Sequence, residues 1–249
     1  MHIIAVVGPH QCGSTMFFNT FRLICEGHNI PTDSCFLDDY INGKYNKDAG
    51  YIVIKCHERL PTNDFPPGTL TILPNRHPLD SMISFFTRFR DAPDVKVPNP
   101  EEDATAYIKR GKEYILYNQK NFNDWKDRST VISYEEYMHM AVEEKANILK
   151  QILTLHGHNA LASDMTIIEK SIIEVSRLHV SKDIIENDIL ENRKSAQNNP
   201  VYRKTLITQS HNTANGKTQK YLSLPVDVKR AFASDDDIIH IMNSRGYSI

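Results

Sequence analysis

The stretch Ile3-Ile4-Ala5-Val6-Val7-Gly8-Pro9-His10-Gln11-Cys12-Gly13-Ser14-Thr15 decides how this 249-residue chain is read. It opens with apolar, mostly β-branched residues, the pattern of a strand buried on both faces. A glycine-containing loop follows, and from Ser14 the sequence is compatible with a helix over 16–25. A strand, a glycine turn and a helix start form a phosphate cradle, because backbone N–H groups and the helix dipole favour an anion there. The spacing Gly8-x4-Gly13 is that of a P-loop, but Ser14 stands where a nucleotide hydrolase carries the lysine that reaches the terminal phosphates. The loop is therefore suited to holding a phosphate without splitting a triphosphate. A strand-to-helix turn with no ligand is the competing reading of so short a pattern.

Working outward, Tyr51-Ile52-Val53-Ile54 predicts a second buried strand that ends in Lys55-Cys56-His57. Pro66-Pro67-Gly68 is a turn signal. Leu70-Thr71-Ile72-Leu73 predicts a third strand, leading to Asn75-Arg76-His77-Pro78. Pro78 suits the first turn of a helix with Met82, Phe85, Phe86 and Phe89 on its apolar side. A long helix is expected over 104–125 and a short fourth strand over 130–133. Further helices are expected over 143–155, 165–178, 184–190, 225–233 and 235–243. Residues 27–50 read as an irregular polar stretch, either lining a substrate mouth with Tyr40 and Tyr45 or making a surface excursion. Residues 91–100 and 202–216 read as loops. Strands alternating with helical patterns imply an α/β fold: a three-layer, P-loop-type domain with a central parallel sheet flanked by helices, expected to be a single domain over residues 1–249.

The formal net charge of −2 provides no global field for nucleic acid or an anionic membrane, so any anion site must be local. No apolar run approaches the roughly 20 residues that span a bilayer. Cys12, Cys25, Cys35 and Cys56 are too scattered for a disulfide framework. With no charged leader before the first strand, these features lead us to expect a soluble, cytoplasmic protein without nucleic-acid or membrane partners. His10, Cys12, Cys56 and His57 have ligand chemistry for zinc, but their spacing fits no common zinc pattern, and no metal is expected.

In parallel sheets ligands sit beyond the carboxyl ends of the strands. Here three such ends carry the phosphate loop, then Lys55 and His57, then Arg76, with Ser84 eight residues further on. At this point the chain resembles the sulfotransferases that use 3′-phosphoadenosine 5′-phosphosulfate (PAPS). Pro9 to Thr15 is similar to the family's 5′-phosphosulfate loop, and Ile54-Lys55-Cys56-His57 to its Ile-Lys-Thr-His segment. Arg76-His77-Pro78-Leu79-Asp80 followed by Ser84 resembles the 3′-phosphate motif with its Arg-to-Ser spacing intact. Val131-Ile132-Ser133-Tyr134-Glu135-Glu136-Tyr137 resembles the family's strand ending in Tyr-Glu-Asp-Leu. Gly216-Lys217-Thr218-Gln219-Lys220-Tyr221-Leu222-Ser223 is a weaker match to the C-terminal piece that closes on the nucleotide.

The resemblance implies transfer of a sulfuryl group from PAPS to a hydroxyl or amine of a small-molecule or glycan acceptor, with PAP as product. It implies that His10, Gln11, Cys12, Gly13, Ser14 and Thr15 hold the 5′-phosphosulfate, with Arg76 and Ser84 on the 3′-phosphate. Gly216, Lys217 and Lys220 add contacts from the C-terminal piece. His57 is the general base and Lys55 the cation beside the sulfuryl oxygens. The chain departs from the family at Gln11, where a lysine or arginine normally stabilises the leaving oxygen, and at Leu79, Met16 and Thr218. Phe17 and Tyr221 are then the aromatic candidates for the adenine. Gln11 keeps a second reading open, a PAP- or PAPS-binding protein with little or no turnover. A third, a P-loop kinase for a small metabolite, is disfavoured by Ser14.

Overall fold

The computed structural model describes residues 1–58, 65–89, 97–178 and 218–248. Its centre is a five-stranded, all-parallel sheet built from β1 (His2–Val7), β2 (Thr32–Phe36), β3 (Tyr51–Cys56), β4 (Leu70–Asn75) and β5 (Thr130–Ser133), in the order β2-β3-β1-β4-β5. The most apolar strand, β1, is in the middle, where a strand must be covered on both sides. Its register pairs Val6 with Lys55 and Val7 with Cys56, so the phosphate loop and the residues after β3 leave the sheet side by side.

Alternation along β1 assigns the two faces. Ile4 and Val6 pack with Phe17, Phe18, Phe21 and Ile24 of α1 (Ser14–Gly27), beneath α6 (Val142–Leu155) and α8 (Met165–Arg177). Ile3, Ala5 and Val7 pack on the other side with Phe122 and Trp125 of α4 (Ala104–Lys126). A third apolar cluster joins α3 (Pro78–Phe89) and α4 to α9 (Val226–Ala233) and α10 (Asp236–Ser244). Short helices α2 (Leu37–Ile41), α5 (Tyr134–His139) and α7 (Asn159–Ala162) and a 3-10 turn over Lys220–Ser223 complete the described elements. Phe21 is 0% exposed in the larger cluster. Phe21→Ala is expected to cost about 3–5 kcal/mol, measured as a lower urea midpoint at unchanged slope.

The α/β layering agrees with the sequence reading, with one strand added. Residues 27–50 are not wholly irregular, because β2 lies within them. This edge strand buries only Cys35, and its Thr32, Asp33 and Ser34 are half exposed, so it carries no run of apolar residues to betray it. Backbone pairing to β3, Thr32 to Tyr51 through Phe36 to Lys55, holds it instead. Tyr40 and Tyr45 stack on one another at 5.2 Å, and Tyr40 also leans on Phe65; both pack against the α4-side core. The helix expected over 184–190, the loop over 202–216 and most of the loop over 91–100 lie outside the described residues.

Candidate functional site

Three backbone positions shape the turn after β1. Gly8 and Gly13 have φ of 115° and 97°, and Gln11 adopts a left-handed φ of 61°. A side chain at Gly13 would be strained by its φ and would also meet the Tyr134 ring, 2.4 Å from where its Cβ would lie. Gly13 caps α1 without any side-chain hydrogen bond, so the helix start is closed by no side chain of its own.

Two residues of β3 and its extension reach into this turn. The Lys55 amine, only 4% exposed, donates to Thr15 Oγ1 at 2.5 Å and lies 5.8 Å from the Phe36 ring. No carboxylate pairs with it among the described residues. Burial, reinforced by the positive charge of Arg88, lowers its pKa to about 7. The folded chain therefore holds this proton less readily than the unfolded chain does. Unfolding takes up a proton between pH 7 and the ordinary lysine range near 10.4, so stability rises with pH across that window. Lys55→Met is expected to flatten that part of the stability–pH curve, read by urea melts from pH 7 to 10.

His57 Nδ1 is 2.9 Å from the Gly8 carbonyl. A carbonyl only accepts, so Nδ1 carries the hydrogen and Nε2 presents its lone pair. Nε2 faces Ser14 Oγ at 3.2 Å, which then donates to it. The His57 main chain is fixed too: its carbonyl accepts from Asn121 Nδ2 at 2.6 Å and its N–H donates to Glu58 Oε2 at 3.0 Å. Burial first, then the charge of Lys55, keeps this imidazole well below the usual histidine value, so it is unprotonated at neutral pH.

Arg76 follows β4 and is 5% exposed. Its Nη1 donates to the Gln11 carbonyl at 2.9 Å, and its guanidinium lies 4.7 Å over the Tyr134 ring. Arg245, itself buried, donates Nη2 to the Arg76 carbonyl at 3.0 Å and Nε to Asn75 Oδ1 at 2.9 Å. Ser84 is buried on α3 and accepts from Lys220 Nζ at 3.0 Å. One turn earlier on the same face, Asp80 Oδ1 accepts the Tyr221 N–H at 2.9 Å. The Tyr221 ring stacks on that of His77, with centroids 4.4 Å apart and planes nearly parallel at 2°.

The structure thus brings His10, Gln11, Cys12, Gly13, Ser14, Thr15, Lys55, His57 and Arg76 to the carboxyl end of the central strands, with Ser84 on α3 bonded to Lys220. Gly216 and Lys217 lie outside the described residues. Phe17 is not placed to stack on an adenine: it is 0% exposed on the inward side of α1, 4.8 Å from Tyr137. Sequence reading missed the role of α4, whose Tyr114, Asn118 and Asn121 all bond main-chain atoms of the site. Buried asparagines three apart on a helix were the available signal, since a buried amide demands partners.

No protein-family model matches this sequence, and no curated protein matches it. Among solved structures, the chain is similar to mouse sulfotransferase SULT7A1, whose crystal structure is a complex with PAP. The TM-score is 0.57 at 17% identity, over 97% of this chain and 85% of that one. The fold is therefore that of the P-loop-type sulfotransferases, a parallel sheet flanked by helices. No helix among the described residues is long and apolar enough to cross a membrane.

Proposed function

We propose that this protein binds PAPS and transfers its sulfuryl group to a hydroxyl or amine acceptor. One observation carries the reading: a buried lysine with no carboxylate partner among the described residues and an unprotonated histidine both meet the first two residues of α1, Lys55 at Thr15 and His57 at Ser14. A lysine held in this way is stabilised by an incoming anion, and an uncapped helix start favours the same charge. The donor set therefore fits a phosphosulfate.

PAPS supplies an activated sulfuryl group and a phosphate leaving oxygen. Lys55, itself buried, and the α1 amides hold the negative charge that gathers there. Lys55 thereby stands in for the loop cation that Gln11 cannot provide. His57 Nε2 accepts the acceptor's proton once Ser14 Oγ turns from it to the bound anion. Arg76, Ser84 and Lys220 form the site for the 3′-phosphate, with Arg76 linking that site to the loop through Gln11.

Thermal denaturation tests binding first. PAP is expected to raise Tm, by about 2.7 kcal/mol of linkage at a hundredfold excess over Kd, and ATP with Mg²⁺ is expected not to. Stabilisation by ATP with Mg²⁺ alone would return the chain to the kinase reading. A second reading follows from Gln11: PAP binding with no transfer of labelled sulfate from PAPS would identify a nucleotide-binding protein.

A further inference from the structure

His10 precedes Gln11 in the loop, and α4 holds it by both polar groups of its backbone. The His10 N–H donates to Asn118 Oδ1 at 3.1 Å, and its carbonyl accepts from the Tyr114 hydroxyl at 2.9 Å. Asn118 is itself oriented, since its Nδ2 donates to the Tyr114 carbonyl at 2.9 Å. Helix α4 is far from the loop in sequence, so this clamp exists only in the folded chain. So held, the His10 ring lies on the His57 ring with centroids 4.4 Å apart and planes 30° apart. Phe85 stands 6.2 Å from the His10 ring and 4.7 Å from Tyr114, backing the arrangement from α3.

We propose that His10 is a positioning residue for His57: α4 presents its ring flat to the His57 imidazole, fixing the plane of that ring and keeping water off its face. The consequence for catalysis rests on the reading of His57 as the base, but the test below does not. The two bonds of the His57 ring, to Gly8 and Ser14, are made at the ring edge, and among the described residues only His10 covers a ring face by stacking. The charged groups around the pair are Lys55 from β3, Glu58 just after it and Arg88 from α3. Lys55 and Arg88 oppose a proton on either ring, whereas Glu58 favours one on His10, and burial outweighs all three. Tyr114, on α4, stays neutral because burial pushes its hydroxyl up. If shielding is the mechanism, a flat ring without nitrogens serves as well as histidine, and a small side chain does not.

The test follows the His57 imidazole signals by NMR through a pH titration of the ligand-free, full-length chain, assigned by their loss in His57→Gln. In wild type and in His10→Phe the midpoint is expected well below 6.5; in His10→Ala it is expected to move up toward about 6.5, the value of a free histidine. Tyr114→Phe removes one clamp hydroxyl and is expected to move the midpoint the same way by less; it carries the test if His10→Ala does not fold. An unchanged midpoint in His10→Ala and Tyr114→Phe, or a rise in His10→Phe equal to that in His10→Ala, overturns the proposal. PAP stabilisation is measured on the same samples. Its absence in wild type removes the PAPS reading and leaves the titration result standing.

Discussion

His57→Ala is expected to lower kcat for sulfuryl transfer by about 10²–10⁴-fold, the usual loss when a positioned general base is removed. PAP should still raise Tm in this variant, because the residues assigned to the nucleotide are untouched. The reasoning starts from the tautomer. The Gly8 carbonyl at 2.9 Å forces the hydrogen onto Nδ1, and the resulting Nε2 lone pair points at Ser14, the first residue of α1. An imidazole held well below its ordinary pKa is fully in the basic form at neutral pH, so activity should show no acid limb near 6.5 arising from His57. Steady-state kinetics with labelled PAPS, from pH 5.5 to 8, check both statements. Equal kcat in wild type and His57→Ala would remove His57 from the reaction.

Arg76→Ala is expected to weaken PAP binding by about 30-fold to a few thousand-fold, since truncating one partner of a buried, charge-assisted contact costs about 2–5 kcal/mol. In the proposed reading Arg76 does two things at once. Its guanidinium is assigned to the 3′-phosphate, and its Nη1 already holds the carbonyl of Gln11, the non-glycine residue of the turn with a left-handed φ. Losing it therefore frees the loop as well as the anion. Arg76→Lys keeps the charge but not the planar fork and should recover only part of the affinity. Titration calorimetry with PAP measures all three proteins. An affinity within about threefold of wild type in Arg76→Ala would place the nucleotide elsewhere.

Much of the sheet was readable in advance because its strands declare themselves chemically. The segments around Val6 and Val53 are continuous apolar runs, and that around Ile72 is broken only by Thr71, as suits strands covered on both faces. The edge strand β2 was not readable, because Thr32, Asp33 and Ser34 make their stabilising bonds through backbone pairing to β3 rather than through buried side chains. Within the site, residues at strand ends were legible from local spacing: the turn around Gly13, Lys55 and His57 two apart, Arg76 before Pro78. The helix that fixes them was not. Tyr114, Asn118 and Asn121 look like ordinary polar positions on a long helix until the chain folds and brings them against His10 and His57.

The sequence by itself determined the kind of chemistry this chain can hold: a strand-turn-helix cradle for an anion, one arginine and one lysine near it, and an imidazole at a neighbouring strand end. Tertiary structure alone decided that Lys55 is buried with no carboxylate beside it among the described residues, that Arg76 grips the loop through Gln11, and that His57 carries its hydrogen on Nδ1. These depend on distances between residues tens of positions apart, and on the loss of water around them, neither of which any local pattern of residues encodes.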